Sequence, residues 1–334
     1  MNTSEYHYSD EAFRAAVASH GSKIEAVQRE VGCSRATAYR RLKKLGTRSE
    51  PEGPADSATD FSVFVPPPMP GRVKRAVDAE VEEAFTVGEP VFLVGETGSG
   101  KSTIPRQIAA DLELPFLRIS CDAGTEFQEM LGRLSMRDGS VFFQEGPLLK
   151  LIQVPSIAFL DEVNALDPTR MFLLHQLLDS RSVFITENGR TYQMHEAASL
   201  FLAGNPPSRS YSVEPASAAF VDRCLCILIP PFSPSEVGAL LAKKHPDLPA
   251  DVRSAFVRFY REMQRFGQDQ SARARISIRD AERLALLYRC SGDVRSSLRN
   301  AFLNGILLTD GPEVKEACED IAATVFGPLW KEAR

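Results

Sequence analysis

The sequence predicts an α/β fold: a parallel five-stranded sheet between helices, followed by a helical domain and preceded by a small all-α unit. Three observations lead there. Between residues 91 and 230, five short apolar runs (VFLVG, FLRIS, SIAFLDE, SLFLAGN and CLCILIP) are separated by amphipathic stretches, the pattern of strands covered on both faces by helices. A glycine-rich segment, GETGSGKST, follows the first run directly and leads into a helical pattern. Beyond residue 232 the strand pattern stops, and stretches such as VRSAFVRFYREMQRF and RDAERLALLYRC carry helical periodicity instead.

The bulk composition fits this. The 334 residues are 43% hydrophobic and 25% charged, ordinary for a chain with a sizeable core. A net charge of −5 excludes generic affinity for nucleic acid, but the charge is uneven. Residues 1–48 hold nine Lys/Arg against five Asp/Glu, which leaves −9 on the rest. No apolar leader opens the sequence, and no apolar run approaches membrane-spanning length. Six cysteines without a disulfide framework fit a reducing cytoplasm. Cys224 and Cys226, two apart in an apolar run, share one strand face and read as buried thiols.

Taken in order, residues 1–48 form the all-α unit, 49–61 a linker rich in Pro, Ser, Gly and acid, 62–232 the α/β domain and 233–334 the helical domain. Within the first unit, residues 22–45 resemble a helix-turn-helix. Ile24, Val27 and Val31 share a helix face, Gly32 suits the turn, and Ser34 can cap the next helix. Ala38, Leu42 and Leu45 face inward on that second helix, whose outer side carries five basic residues and no acid. Gln28 departs from the small residue usual four places before the turn glycine. In the DNA-binding reading, Arg35, Thr37 and Tyr39 approach bases while Arg40, Lys43 and Lys44 approach phosphates. The alternative is a helical adaptor that docks an acidic protein. In the linker region FSVFVPPP is apolar enough to pack on the next domain as an extended arm.

Gly95, Glu96, Thr97, Gly98, Ser99, Gly100, Lys101 and Ser102 fit the G-x-x-x-x-G-K-[ST] phosphate-loop pattern, with Thr103 opening the helix. The chemistry requires these types: glycines let the backbone curl its N–H groups toward phosphates, Lys101 reaches the outer phosphates, and the Ser102 hydroxyl ligates Mg²⁺. Pro105 falls in the first turn, where a missing N–H costs little. The run SIAFLDE ends in Asp161, placed to hold the Mg²⁺ shell, and Glu162, placed to polarise an attacking water.

These motifs, with three more, give the chain a specific resemblance over residues 62–330. It resembles an AAA+ ATPase, and within that superfamily the MoxR/dynein-related branch, which includes proteins of the MoxR, NorQ/CbbQ and cobaltochelatase CobS type. SLFLAGNPP resembles the fourth strand ending in the polar sensor 1 residue, here Asn205. AFVDRCLCILIP resembles the segment that carries the arginine finger, here Arg223, and ISIRDAERL the sensor 2 motif, here Arg279. Residues 134–152, turning at Asp138-Gly139, and 182–198, turning at Asn188-Gly189, resemble the branch's two insertions. In related machines such elements touch substrate, and Phe142, Phe143 and Tyr192 are either candidates for that contact or ordinary hairpin packing residues.

The resemblance implies an AAA+ P-loop NTPase domain with a C-terminal helical lid, ATP and Mg²⁺ as ligands, and a hexameric ring in which Arg223 acts on the neighbouring site. GTP is the alternative nucleotide. It further implies remodelling of a partner, such as a von Willebrand factor A-domain protein or a metal-inserting enzyme, with residues 22–45 as a tether to DNA or to that partner. Two other functions compete: an ATP-responsive DNA-binding regulator, and a DNA-processing accessory such as a helicase loader or nuclease-associated motor.

Overall fold

The computed structural model describes residues 10–20, 24–31, 38, 60–126, 130–137, 139–166, 172–206, 217–269 and 274–330. In chain order the strands are β1 (Val91–Val94), β2 (Phe116–Ser120), β3 (Gly132–Arg137), β4 (Ser140–Glu145), β5 (Ile157–Asp161), β6 (Ser182–Ile185), β7 (Arg190–Gln193), β8 (Ser199–Gly204) and β9 (Leu225–Leu228). Five of them form one parallel sheet in the order β2-β5-β8-β1-β9. The expected sheet is therefore present, and all five apolar runs supply its strands.

Strand alternation decides which helices cover which face. Leu93, Ile157, Phe159, Phe201 and Ala203 point to the side where Val81 and Phe85 of helix Ala76–Val87 and Ile104 and Ile108 of helix Thr103–Leu112 pack. Phe92, Ala158, Leu160, Leu200 and Leu202 point to the other side, against Leu148 and Ile152 of helix Pro147–Ile152 and Leu174 and Leu177 of helix Phe172–Ser180. Central β5 and β8 are buried along their whole length. Edge strands β2 and β9 are not. That corrects one expectation: Cys226 is exposed and Cys224 half-buried, because β9 has a neighbour on one side only. The buried thiols are Cys121 and Cys318.

Both hairpins form, β3–β4 and β6–β7, in antiparallel register. Gly139 and Gly189 supply the positive φ their turns require, at 80° and 66°; Asp138 lies outside the described residues. Tyr192, a candidate for substrate contact, is instead 9% exposed and accepts a hydrogen bond from Asn188 at 2.8 Å. Its strand position turns it toward the core rather than outward. The arm at residues 61–68 differs too: Phe61–Phe64 is a turn of 3-10 helix capped by Asp60.

The segment after β9 is helical, as its periodicity predicts. Helices Pro234–Lys244 and Ile278–Ser291 each open with a capping box, Ser233 with Glu236 and Ser277 with Asp280. Helix Ala250–Asp269 packs on helices Pro234–Lys244 and Pro312–Phe326, and Phe256, Phe259 and Phe326 build a separate aromatic core. Near the N-terminus, helices Asp10–His20 and Ile24–Val31 are present, and Phe13, Ala16, Val27 and Ala38 are buried in the same cluster as Val81. The DNA-contact candidates Arg35, Thr37, Tyr39, Arg40, Lys43 and Lys44 lie outside the described residues, as do Gly32 and Ser34.

Candidate nucleotide site

The strand order places the end of β1 between β8 and β9, and the glycine-rich loop emerges there. Ligands of open α/β sheets bind at such carboxyl ends. Gly95 donates its N–H to Gly204 at 3.2 Å. It must be glycine, since a Cβ would stand 2.5 Å from the Ile229 carbonyl oxygen. Gly95→Ala is expected to lower stability by about 1–3 kcal/mol, read as a drop in the urea midpoint with unchanged slope. Gly98 and Gly100 adopt φ of 82° and 97°, conformations that favour glycine. The N–H groups of Gly98, Gly100, Lys101 and Ser102 find no acceptor among the described residues. An anion with several oxygens fits that unsatisfied set.

Lys101 curls back over the loop. Its Nζ donates to the carbonyls of Gly95 (2.6 Å) and Glu96 (3.1 Å) and to Asn205 Oδ1 (3.1 Å). Burial pulls its pKa down to about 8, against Asp161 and Glu162, which favour the charged form; Arg279 adds to the lowering. An anion in this cavity would favour the charged ammonium that burial disfavours.

Asp161 ends β5, and both Nε (3.1 Å) and Nη2 (2.6 Å) of Arg118 donate to its Oδ2. Its Oδ1 takes no hydrogen bond among the described residues, and the Ser102 hydroxyl caps no helix. Two hard oxygens thus remain, the donor type that Mg²⁺ takes. Glu162 follows at φ 60° and ψ 36°, a left-handed conformation rare for a residue with a side chain. That turn leaves its side chain exposed beside the cavity. Asn164 Nδ2 donates to the Asn205 carbonyl at 2.9 Å and holds that residue at the end of β8.

A cavity of about 470 Å³ joins these groups. Thr97 through Thr103, Asp161, Glu162, Asn205 and Arg279 all line it. Arg279 sits in the first turn of helix Ile278–Ser291, just after the Ser277 cap. Gly95 and Glu96 form the loop's base rather than the cavity wall, and Glu96 is ion-paired with Arg275. Met69, Val73, Ile104, Phe232, Leu240 and Ile278 also line the cavity, beside the charged Arg72, Asp78, Lys244 and Glu282. A polyanionic ligand that also carries an apolar surface suits that mixed wall.

Arg223 is not part of this wall. It follows helix Ala218–Val221, where Nε lies 2.6 Å from Asp179 and Nη1 donates to the Ala219 carbonyl. Four contributors were not singled out from the sequence: Arg118, Asn164, Arg75 and the residues near Met69. Arg118 carried a signal, a lone charge within an apolar strand. The others belong to no motif.

Residues 90–224 match the AAA domain of the dynein-related subfamily. Among curated proteins the chain is similar to NorQ of Paracoccus denitrificans, 26% identical over 75% of this chain and 91% of that protein. It is also similar to the denitrification regulatory protein NirQ of Pseudomonas aeruginosa, 31% identical over 37% of this chain and 48% of NirQ. A midasin of Dictyostelium discoideum is 30% identical over 52% of this chain, which corresponds to only 3% of the midasin. The chain thus spans about half of NirQ and a small part of the midasin. No helix among the described residues is long and apolar enough to cross a membrane. Residues 90–224, which hold the loop, β5 and β8, are thus the part of the chain that is similar to the AAA domain of the dynein-related subfamily.

Proposed function

We propose that the chain is a MoxR-like AAA+ motor that binds ATP with Mg²⁺ in this cavity, hydrolyses it, and uses the cycle to remodel a partner. One observation carries the reading: Lys101, Ser102, Asp161, Glu162, Asn205 and Arg279, far apart in the sequence, line one cavity beside unsatisfied loop N–H groups. Lys101 and the loop N–H groups hold the phosphates. Asp161 and Ser102 would hold Mg²⁺, which when bound neutralises charge on the outer phosphate oxygens. Glu162 takes a proton from the attacking water, Asn205 orients that water, and Arg279 contacts the outermost phosphate from the helical segment. The chain works as a ring, most simply a hexamer, because Arg223 stands outside its own cavity.

Residues 22–45 tether this motor to DNA. Support comes from the excess positive charge of residues 1–48 on an otherwise acidic chain and from the inward burial of Val27 and Ala38. One unit binds weakly, and a ring of copies gains avidity. The partner is a protein or protein–DNA complex, and a von Willebrand factor A-domain protein is the first to test.

The purified chain is expected to hydrolyse Mg·ATP, and Lys101→Ala to lose both nucleotide binding and turnover. Equal phosphate release by the two proteins would sink the motor reading. Fluorescence anisotropy on a random-sequence duplex addresses the tether: removing residues 1–48 should abolish binding, and unchanged binding would refute it.

A further inference from the structure

We propose that Arg75 is the positioning residue that couples the phosphate loop to the hinge of the helical segment. Arg75 belongs to no sequence motif, yet it is 7% exposed and joins four parts of the molecule. It caps helix Ala76–Val87, donating its backbone N–H to Asp78 at 2.9 Å. Nη1 donates to the Ser99 carbonyl within the phosphate loop at 2.8 Å. Nη2 donates to the carbonyls of Pro230 (2.8 Å) and Pro231 (3.1 Å), just past the end of β9. Nε donates to Glu236 Oε1 at 3.2 Å, on the first helix of the helical segment. The guanidinium also stacks 4.2 Å from the ring centre of Phe232.

The location gives these bonds their meaning. The chain passes from the sheet into the helical segment at residues 230–233, so swinging of that segment acts on the two prolines and Phe232. Phe232 is held from beyond the hinge as well, since Tyr260 Oη donates to its carbonyl at 3.0 Å. Its ring lies against the loop: a Cβ on Gly100 would be 3.6 Å from Phe232 Cε2. Glu236 is held below its ordinary carboxylate pKa, its burial outweighed by hydrogen bonds from Ser233 and by Arg75, so it stays an anion. One rigid, planar cation therefore reads the Ser99 carbonyl and grips both sides of the hinge. A lysine there keeps the charge but has one compact ammonium, which cannot span acceptors lying in these separate directions. When phosphates settle on the loop and Ser99 shifts, Arg75 passes the shift to the hinge.

This rests on the nucleotide reading of the cavity, and the experiment separates the two. The full chain carries one donor dye on helix Ala76–Val87 and one acceptor on helix Pro312–Phe326. Nucleotide affinity, turnover and the dye distance are measured with and without Mg·ATP for wild type, Arg75→Lys, Glu236→Gln, the double variant and Lys74→Ala. Among the described residues Lys74 forms only an exposed pair with Glu82, and it serves as control. Arg75→Lys is expected to bind ATP nearly as wild type does, to lose the ATP-driven distance change, and to turn over about 3- to 30-fold slower. Glu236→Gln should move the same way, and the double variant no further than Arg75→Lys alone. A full ATP-driven distance change in Arg75→Lys overturns the inference. So does a loss confined to melting temperature, with turnover and distance change intact in the cold. Wild type that binds ATP without any distance change overturns it too. Wild type that binds no nucleotide removes the reading of the cavity and this inference together.

Discussion

Glu162→Gln is expected to slow ATP hydrolysis by about 10²–10⁴-fold while leaving Mg·ATP bound. The geometry gives the reason for both halves. Among the described residues the carboxylate of Glu162 forms no hydrogen bond with the loop or with Lys101 and acts on Lys101 through its charge alone; its peptide makes a turn, accepting the Ala165 N–H at 2.8 Å. Substituting an amide therefore leaves the phosphate-binding groups intact and removes a proton acceptor. The left-handed backbone at this position costs energy that a strand continuing straight would not. It turns the side chain off the line of β5 and into the open beside the cavity, whereas Asp161, one residue earlier, remains 8% exposed and tied to Arg118. Two adjacent carboxylates thus receive different environments. The measurement is single-turnover phosphate release beside fluorescent-nucleotide binding. Turnover close to wild type in Glu162→Gln would place the base elsewhere.

The second large effect is expected at Arg223. Arg223→Ala should lower turnover by about 10³–10⁵-fold, and mixing it with Lys101→Ala, itself inactive, should restore activity. In a mixed ring, the intact loop of one subunit meets the intact arginine of the other. The position of Arg223 motivates this. It lies outside its own cavity, in a stretch with exposed Val221 before it and exposed Leu225 and Leu228 on edge strand β9 after it. It pairs with Asp179, whose own side chain is half exposed, so a phosphate brought by a neighbouring subunit would compete with a carboxylate that water already screens. Mixed samples no more active than the sum of their parts would confine Arg223 to its own subunit.

The parts legible in the sequence were those written in neighbouring residues. The loop from Gly95 to Ser102 announces itself because every position in it serves one local conformation. β5 is legible because burial on both faces forces an unbroken apolar run. The hairpin turns are legible because few residues tolerate positive φ. What escaped depends on which distant segments meet. Arg75 matters only because Ser99, Pro230 and Glu236 converge on it, and its local sequence, RVKRAVD, looks like an ordinary basic stretch. Cys226 was assigned the right strand and the wrong environment, since a run of apolar residues does not say whether its strand lies at the centre or the edge. Tyr192 was open between substrate contact and hairpin packing, and strand alternation turns its ring toward the core.

The position of β1 between β8 and β9 has one more consequence. The loop leaving β1 is flanked on one side by Asn205, where the chain leaves β8, and on the other by Pro230, where it leaves β9. The first neighbour lines the cavity; the second begins the passage into the helical segment. In the cycle proposed above, this single turn of backbone would join a chemical line to a mechanical one without a long relay through the interior. Had β9 been added at the far edge beside β2, the same residues would exist, but that proposed path would have to cross the whole sheet.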